Sequence, residues 1–133
     1  MKVEILKQFS VFMPNRPGSL AALARLFSDK GINIVGLASE VRDDSGMVRI
    51  AVEGDADVSG ILSQAGFASV ESTLISVEVP NRPGELFRLA RALADGKVNI
   101  TTVYGTSFGG RSSRILVSVT NTEKALSLLQ AIA

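Results

Sequence analysis

The stretch Ser10–Ile34, SVFMPNRPGSLAALARLFSDKGINI, returns at Ser76–Ile100 as SVEVPNRPGELFRLARALADGKVNI. The offset is 66 with no gap, and fourteen of the 25 positions are identical. All four prolines of the chain, Pro14, Pro17, Pro80 and Pro83, lie in the two copies of Pro-Asn-Arg-Pro-Gly. Chance does not produce this: one supersecondary unit has been used twice. Beyond the stretch, the same offset pairs Leu62 with Leu128 and Gln64 with Gln130.

Each copy reads the same way. Phe9, Val11 and Met13 alternate with polar or smaller neighbours, as do Ile75, Val77 and Val79, which predicts a strand with one buried face. Proline lacks an N–H and has a fixed φ, so Pro17 and Pro83 suit the first turn of a helix. After them Leu20, Leu23, Ala24 and Phe27 fall at i, i+3, i+4 and i+7, matched by Leu86, Leu89, Ala90 and Leu93. That is one apolar helical stripe. Gly31 and Gly96 are expected to stop these helices.

A hairpin follows in both copies. Ile34–Val41 and Val48–Val52 flank Asp43-Asp44-Ser45-Gly46; Ile100–Thr106 and Ile115–Val119 flank Gly109-Gly110. A second helix then carries Val58, Ile61, Leu62 and Ala65 in copy one, and Ala125, Leu128, Leu129 and Ile132 in copy two. The order predicts an α+β fold of two ferredoxin-like βαββαβ repeats packed side by side, with helices on one face of antiparallel sheets.

The last strand separates the copies. Ala68–Val79 is long enough to close copy one and open copy two, whereas copy two reaches Ala133 where its last strand would begin. The expected domains are 1–70 and 71–133. Val3–Leu6, in the counterpart of the Ala68–Val79 strand, is expected to supply the second domain's missing edge, in this chain or in a partner chain. A unit of this size buries only about 60% of its unfolded surface and is marginal alone. The two are therefore expected to dock, and further association into a homodimer is expected where edges or faces stay apolar.

Composition narrows the function. The chain has 133 residues, 46% hydrophobic and 20% charged, with no Cys, His or Trp. The usual ligands of zinc, copper and iron–sulfur clusters are missing, so no metal or cofactor is expected. The commonest general base and the most reactive nucleophile are missing too, and no catalytic residue is readable. Fourteen basic and thirteen acidic residues give a net charge of +1. A nucleic-acid binder carries a basic excess or an aromatic stacking signature, and neither is present. There is no apolar run of membrane-spanning length and no signal-peptide core near Met1–Phe9, so a cytoplasmic location is expected.

The repeated loop points to a small anion. A helix start presents unpaired N–H groups and the positive end of a dipole. Gly18 and Gly84 let an anion such as a carboxylate come close to that backbone. Asn15 and Asn81 just before can both donate and accept. Asn33 and Asn99 follow the helix where the chain enters the next strand, and strand ends alternate between sheet edges. Each is therefore placed to meet the loop of the other copy more easily than its own. The same asparagines also fit ligand-free turns, and the sequence leaves both uses open. Arg16 and Arg82 precede proline on extended backbone with solvated side chains. Tyr104, in the place of Ala38, is expected to pack on a sheet. Glu85 stands where copy one has Ser19, which makes the second loop less welcoming to an anion.

Asn-Arg-Pro-Gly-x-Leu, a helix and Gly-(Ile/Val)-Asn-Ile together resemble the ACT domain, over nearly the whole chain. The motif is particularly similar to the regulatory domain of D-3-phosphoglycerate dehydrogenase. The resemblance implies a βαββαβ fold that pairs side by side and binds an amino acid at the interface. It implies no catalysis, and allosteric regulation of an attached or associated enzyme of amino acid metabolism, as by the small subunits of acetohydroxyacid synthase. By the resemblance, the asparagines that hold ligand across the interface map to Asn15, Asn33, Asn81 and Asn99. Arg16, Pro17, Gly18, Ser19, Leu20 and Ile34, with Arg82, Pro83, Gly84, Glu85, Leu86 and Ile100, complete the ligand-binding set. Where that family has a ligand-binding histidine, Met13 and Val79 stand, which implies a ligand with an apolar side chain rather than serine. An interaction module without a ligand is the alternative reading.

Overall fold

Ten elements alternate along the chain: β1 (Lys2–Pro14), α1 (Ser19–Asp29), β2 (Ile34–Arg42), β3 (Ser45–Val52), α2 (Val58–Gln64), β4 (Ala68–Pro80), α3 (Glu85–Asp95), β5 (Ile100–Ser107), β6 (Ser112–Val119) and α4 (Thr122–Ile132). They are seen in a computed structural model that describes residues 2–107 and 109–133, and at Arg42 the backbone alone. Met1, where the first domain was expected to begin, lies outside these residues. Strand–helix–strand–strand–helix occurs twice, as the periodicities require.

Two compact units form. Lys7–Ser72 make the first, and residues up to Leu6 together with Thr73–Ala133 make the second. The boundaries fall inside β1 and β4. The first unit has strand order β2-β3-β1-β4 and the second β1-β4-β6-β5. In the first, antiparallel pairing sets Phe9 opposite Ile50 and Val11 opposite Val48. In the second, Ile75 faces Val117 and Val77 faces Ile115.

Cross-strand partners point to one face, so these registers gather the apolar residues on the side that the helices cover. Phe9, Val11, Val48 and Ile50 meet Leu23 and Phe27 of α1 and Val58 and Leu62 of α2. Ile75, Val77 and Val117 meet Leu89 and Leu93 of α3 and Ala125 and Leu129 of α4. The start of β1 belongs to the second core: Val3 packs against it, Leu6 is buried, and the Glu4 carboxylate lies 3.8 Å from Arg114 of β6. In the first unit, the Gln8 amide donates to the Ser72 hydroxyl at 3.1 Å, tying the start of β4 to β1.

One expectation needs correction. The 66-residue offset does not run through the second hairpin. Residues 42–45 separate the paired Val41 and Gly46, whereas residues 108–112 separate the paired Ser107 and Ser113. One extra residue moves the later offset to 67. Leu62 is therefore the counterpart of Leu129, both fully buried, and its match with Leu128 at 66 is accidental. The helix stops also differ. α3 does end at Gly96, its C-cap residue, but the left-handed φ that Gly31 takes at 68° falls in copy two to Lys97 at 61°. Gly96 also matters for packing: a Cβ there would come within 2.3 Å of a Leu128 methyl.

Deleting residues 1–6 removes Val3 from the second core and the buried Leu6 from the second unit. At about 1.5–3 kcal/mol for a fully buried aliphatic side chain, the second unit is expected to lose roughly 2–4 kcal/mol. Hydrogen exchange should show faster exchange in β4 and β6; unchanged protection there would show that the start of β1 supports nothing.

Candidate functional site

The chain leaves β1 through Asn15, Arg16, Pro17 and Gly18 into α1, and leaves β4 through Asn81, Arg82, Pro83 and Gly84 into α3. Asn15 donates its side-chain amide to the Asp43 carbonyl at 3.1 Å and its backbone N–H to the Asp44 carbonyl at 2.8 Å. Asn81 does the same to the Gly110 and Arg111 carbonyls at 3.0 and 2.8 Å, and its Oδ1 accepts from the Ser113 hydroxyl at 3.1 Å. Each asparagine thus pins a helix start to the tip of the neighbouring hairpin. The turn-forming use is real at both.

Gly18 and Gly84 occupy the N-cap positions at φ 90° and 94°, a region that costs an L residue roughly 1–2 kcal/mol. Neither helix has a side-chain cap. The contrast lies within the same molecule: Asp57 accepts from the Gly60 N–H at the start of α2, and Asn121 from the Lys124 N–H at the start of α4. The repeated motif therefore leaves helix-start donors without a side-chain partner, in the two places where the loop is conserved between copies.

A groove opens between each such helix start and the outer strand of its sheet. In the first unit it holds about 120 Å³ and is bordered by Asn15, Arg16, Ser19, Leu20, Ser39 and Val41. In the second it holds about 460 Å³, with Asn81, Arg82, Glu85 and Leu86 on the helix side and Val103, Gly105 and Ser107 on β5. The registers make Ser39 and Val41 the counterparts of Gly105 and Ser107. Two smaller or more polar side chains on the outer strand open the second groove. Its floor is Val79 and Ile115, so it is apolar below and polar at the loop end.

Charge also differs between the copies. Arg16 has no ion pair among the described residues. In copy two, the Arg82 Nε–H donates to Glu85 Oε1 at 2.7 Å, and Arg88 Nη1 lies 3.6 Å from Glu85 Oε2. Arg88 also donates to the Ile132 carbonyl at the end of α4. Glu85 is buried, although it is the first residue of α3. Arg25 and Arg91, by contrast, make exposed pairs with Asp29 and Asp95 that contribute little.

Asn33, Ile34, Asn99 and Ile100 are not brought to these grooves within their own units. Ile34 is level with Val52 and Pro14 with Ser45, seven residues apart along β3. At about 3.3 Å per residue that is roughly 23 Å. Ile100 and Pro80 are separated in the same way along β6. The side chains of Asn33 and Asn99 are exposed and have no hydrogen-bond partner among the described residues; Asn99 bonds to Thr120 through its own backbone, its N–H donating to the Thr120 hydroxyl and its carbonyl accepting from the Thr120 N–H. The residues that the sequence did not single out are those of the second hairpin: Val103, Gly105, Ser107, Ser113 and Ile115. The signal was their divergence from copy one, which acquires meaning only once the register is known. Among the described residues, no cluster of three or more acidic side chains could hold a metal ion, and no helix is long and apolar enough to cross a membrane.

The ACT domain family matches residues 7–66 and 73–133. No curated protein matches the chain. Among solved structures, protein BT0572 from Bacteroides thetaiotaomicron is similar with a TM-score of 0.88 at 22% identity, over 97% of this chain and 89% of that one. The ligand-free regulatory subunit of aspartate kinase from Thermus thermophilus is similar with a TM-score of 0.72 at 16% identity, over 98% and 96%. The corresponding Thermus flavus subunit has a TM-score of 0.63, also at 16% identity and the same coverage. At these identities the likeness is one of fold.

The asparagines should separate in urea denaturation. Asn15→Ala and Asn81→Ala each cut a side-chain tie and are expected to cost about 1 kcal/mol, whereas Asn33→Ala and Asn99→Ala should stay within about 0.5 kcal/mol. Equal losses at all four would contradict the division of labour.

Proposed function

Because the chain belongs to the ACT-domain family, we propose that it is a regulatory protein that binds an amino acid and catalyses no reaction. The observation that carries this reading is the pair of uncapped helix starts, each at the polar end of an apolar groove. A zwitterion with an apolar side chain fits such a place: its carboxylate meets the helix N–H groups and its side chain meets the floor. Asn15, Arg16, Pro17, Gly18, Ser19 and Leu20, with Asn81 to Leu86 in copy two, form these ligand-binding loops.

Asn33, Ile34, Asn99 and Ile100 join the site from a neighbouring repeat. Roughly 23 Å separates them from the loop of their own unit, so a ligand that touches both kinds of asparagine sits between ACT repeats. The neighbouring repeat belongs to this chain or to a second copy. The outer strands β2 and β5 keep Leu37, Val41 and Val103 exposed, which supports homodimer formation along these edges. Ligand then regulates by binding one packing of the repeats more tightly than another, since only differential affinity shifts an equilibrium. The likeness to regulatory subunits of aspartate kinase supports an enzyme of amino acid metabolism as partner. The same exposed edges, together with the engaged amides of Asn15 and Asn81, favour a second reading as an interaction module without a ligand.

Thermal melting against each of the twenty amino acids at millimolar concentration separates the two. A ligand at 100 times its Kd contributes about 2.7 kcal/mol, or several degrees for a chain of this length. A selective rise that disappears in the Asn33→Ala, Asn99→Ala double variant is expected. A flat panel would favour the interaction module.

A further inference from the structure

Among the described residues, Glu85 is the one with a buried side-chain oxygen that lacks a hydrogen-bond partner. Its side chain is 7% exposed. Oε1 accepts from Arg82, but Oε2 is shut off from solvent and has no hydrogen-bond partner among the described residues. Arg88 makes an ion pair with it at 3.6 Å but no hydrogen bond, its other nitrogen donating to the Ile132 carbonyl. A buried carboxylate oxygen without a donor is costly, and such groups are rare unless a partner arrives from elsewhere.

We propose that Glu85 is an ammonium receptor, and that the second groove takes a small molecule with a protonated primary amine on a short apolar body. This rests on the reading of the groove as a ligand site. An ammonium group brings three donors and a full charge, which matches Oε2 better than a neutral donor does. The adjacent Val79, Val103 and Ile115 offer the apolar body a floor, and Gly105 leaves room above it. The Arg82 guanidinium is two-thirds exposed, and among the described residues its ion pair is with Glu85. When the ligand also carries a carboxylate, Arg82 turns to it while Glu85 turns to the amine, so a zwitterion replaces one internal ion pair with two external ones. The first unit has Ser19 in place of Glu85 and a groove about a quarter as large, about 120 against 460 Å³. The carboxylate that borders that smaller groove, Glu40 of β2, is exposed and paired with Arg49 at 3.6 Å, so the two repeats are unequal.

The test compares L-leucine with 4-methylpentanoate, which has the same apolar body and carboxylate but no amine. Both are titrated into the ¹⁵N-labelled full chain, and the amides of α3 and β5 are followed. L-leucine is expected to bind at least tenfold more tightly than the acid. Glu85→Gln keeps the shape but loses the charge, and should remove that preference by weakening L-leucine alone. Gly105→Ser, which gives β5 the first unit's residue without touching Glu85, should weaken both probes. Unchanged amide dispersion in each variant verifies the fold. Equal affinity for the two probes, an unaffected preference in Glu85→Gln, or no shift in α3 and β5 with either probe would overturn the proposal. If the melting panel nonetheless finds a stabilising amino acid that is indifferent to Glu85→Gln, the regulatory reading stands and only the role of Glu85 falls.

Discussion

Two asparagine side chains hold the functional geometry in place. The amides of Asn15 and Asn81 reach the hairpin carbonyls of Asp43 and Gly110, fixing the end of a central strand and the start of a helix against the tip of the next two strands. The loop between must then climb from sheet to helix in four residues. Proline sets one φ, and glycine takes the left-handed value that follows. With glycine at the N-cap, no side chain is left to satisfy the first turn. Uncapped donors and a groove beside them follow from how the loop is anchored.

A glycine N-cap costs a helix only a few tenths of a kcal/mol relative to a side-chain cap. The chain tolerates that cost twice, at the two positions where the repeat is most faithfully copied, while capping α2 and α4 with Asp57 and Asn121. At φ 90° and 94° serine or aspartate would be strained, so the turn itself selects glycine at both N-caps, and the donors this leaves uncapped are open to the proposed ligand.

Much of the fold was legible because its signals are local. Alternation at Phe9–Met13 and Ile75–Val79 gave the core strands, and the stripes at Leu20–Phe27 and Leu86–Leu93 gave the helices, although Leu20 and Leu86 prove exposed. What failed were inferences from exact counting across a turn. One extra residue in the second hairpin moved the true partner of Leu62 to Leu129. At the end of α3 the left-handed residue is Lys97, because backbone geometry outweighed the usual preference for glycine.

The site was legible only in part. Its loops announce themselves by repetition, but the groove depends on what faces them across the sheet. Gly105 and Ser107 look unremarkable until the register sets them opposite α3 in place of a serine and a valine. Glu85 reads in the sequence as a charge that discourages anions; its buried, half-satisfied carboxylate appears only when Arg82 and Arg88 are in place.

The most direct test is a backbone amide shift map of the labelled protein with a mixture of the twenty amino acids at millimolar concentration. If the repeated helix starts are the ligand site, the largest shifts will fall at Gly18–Leu20 or Gly84–Leu86 and on the outer strand facing them. Shifts centred elsewhere, or none at all, would contradict the account.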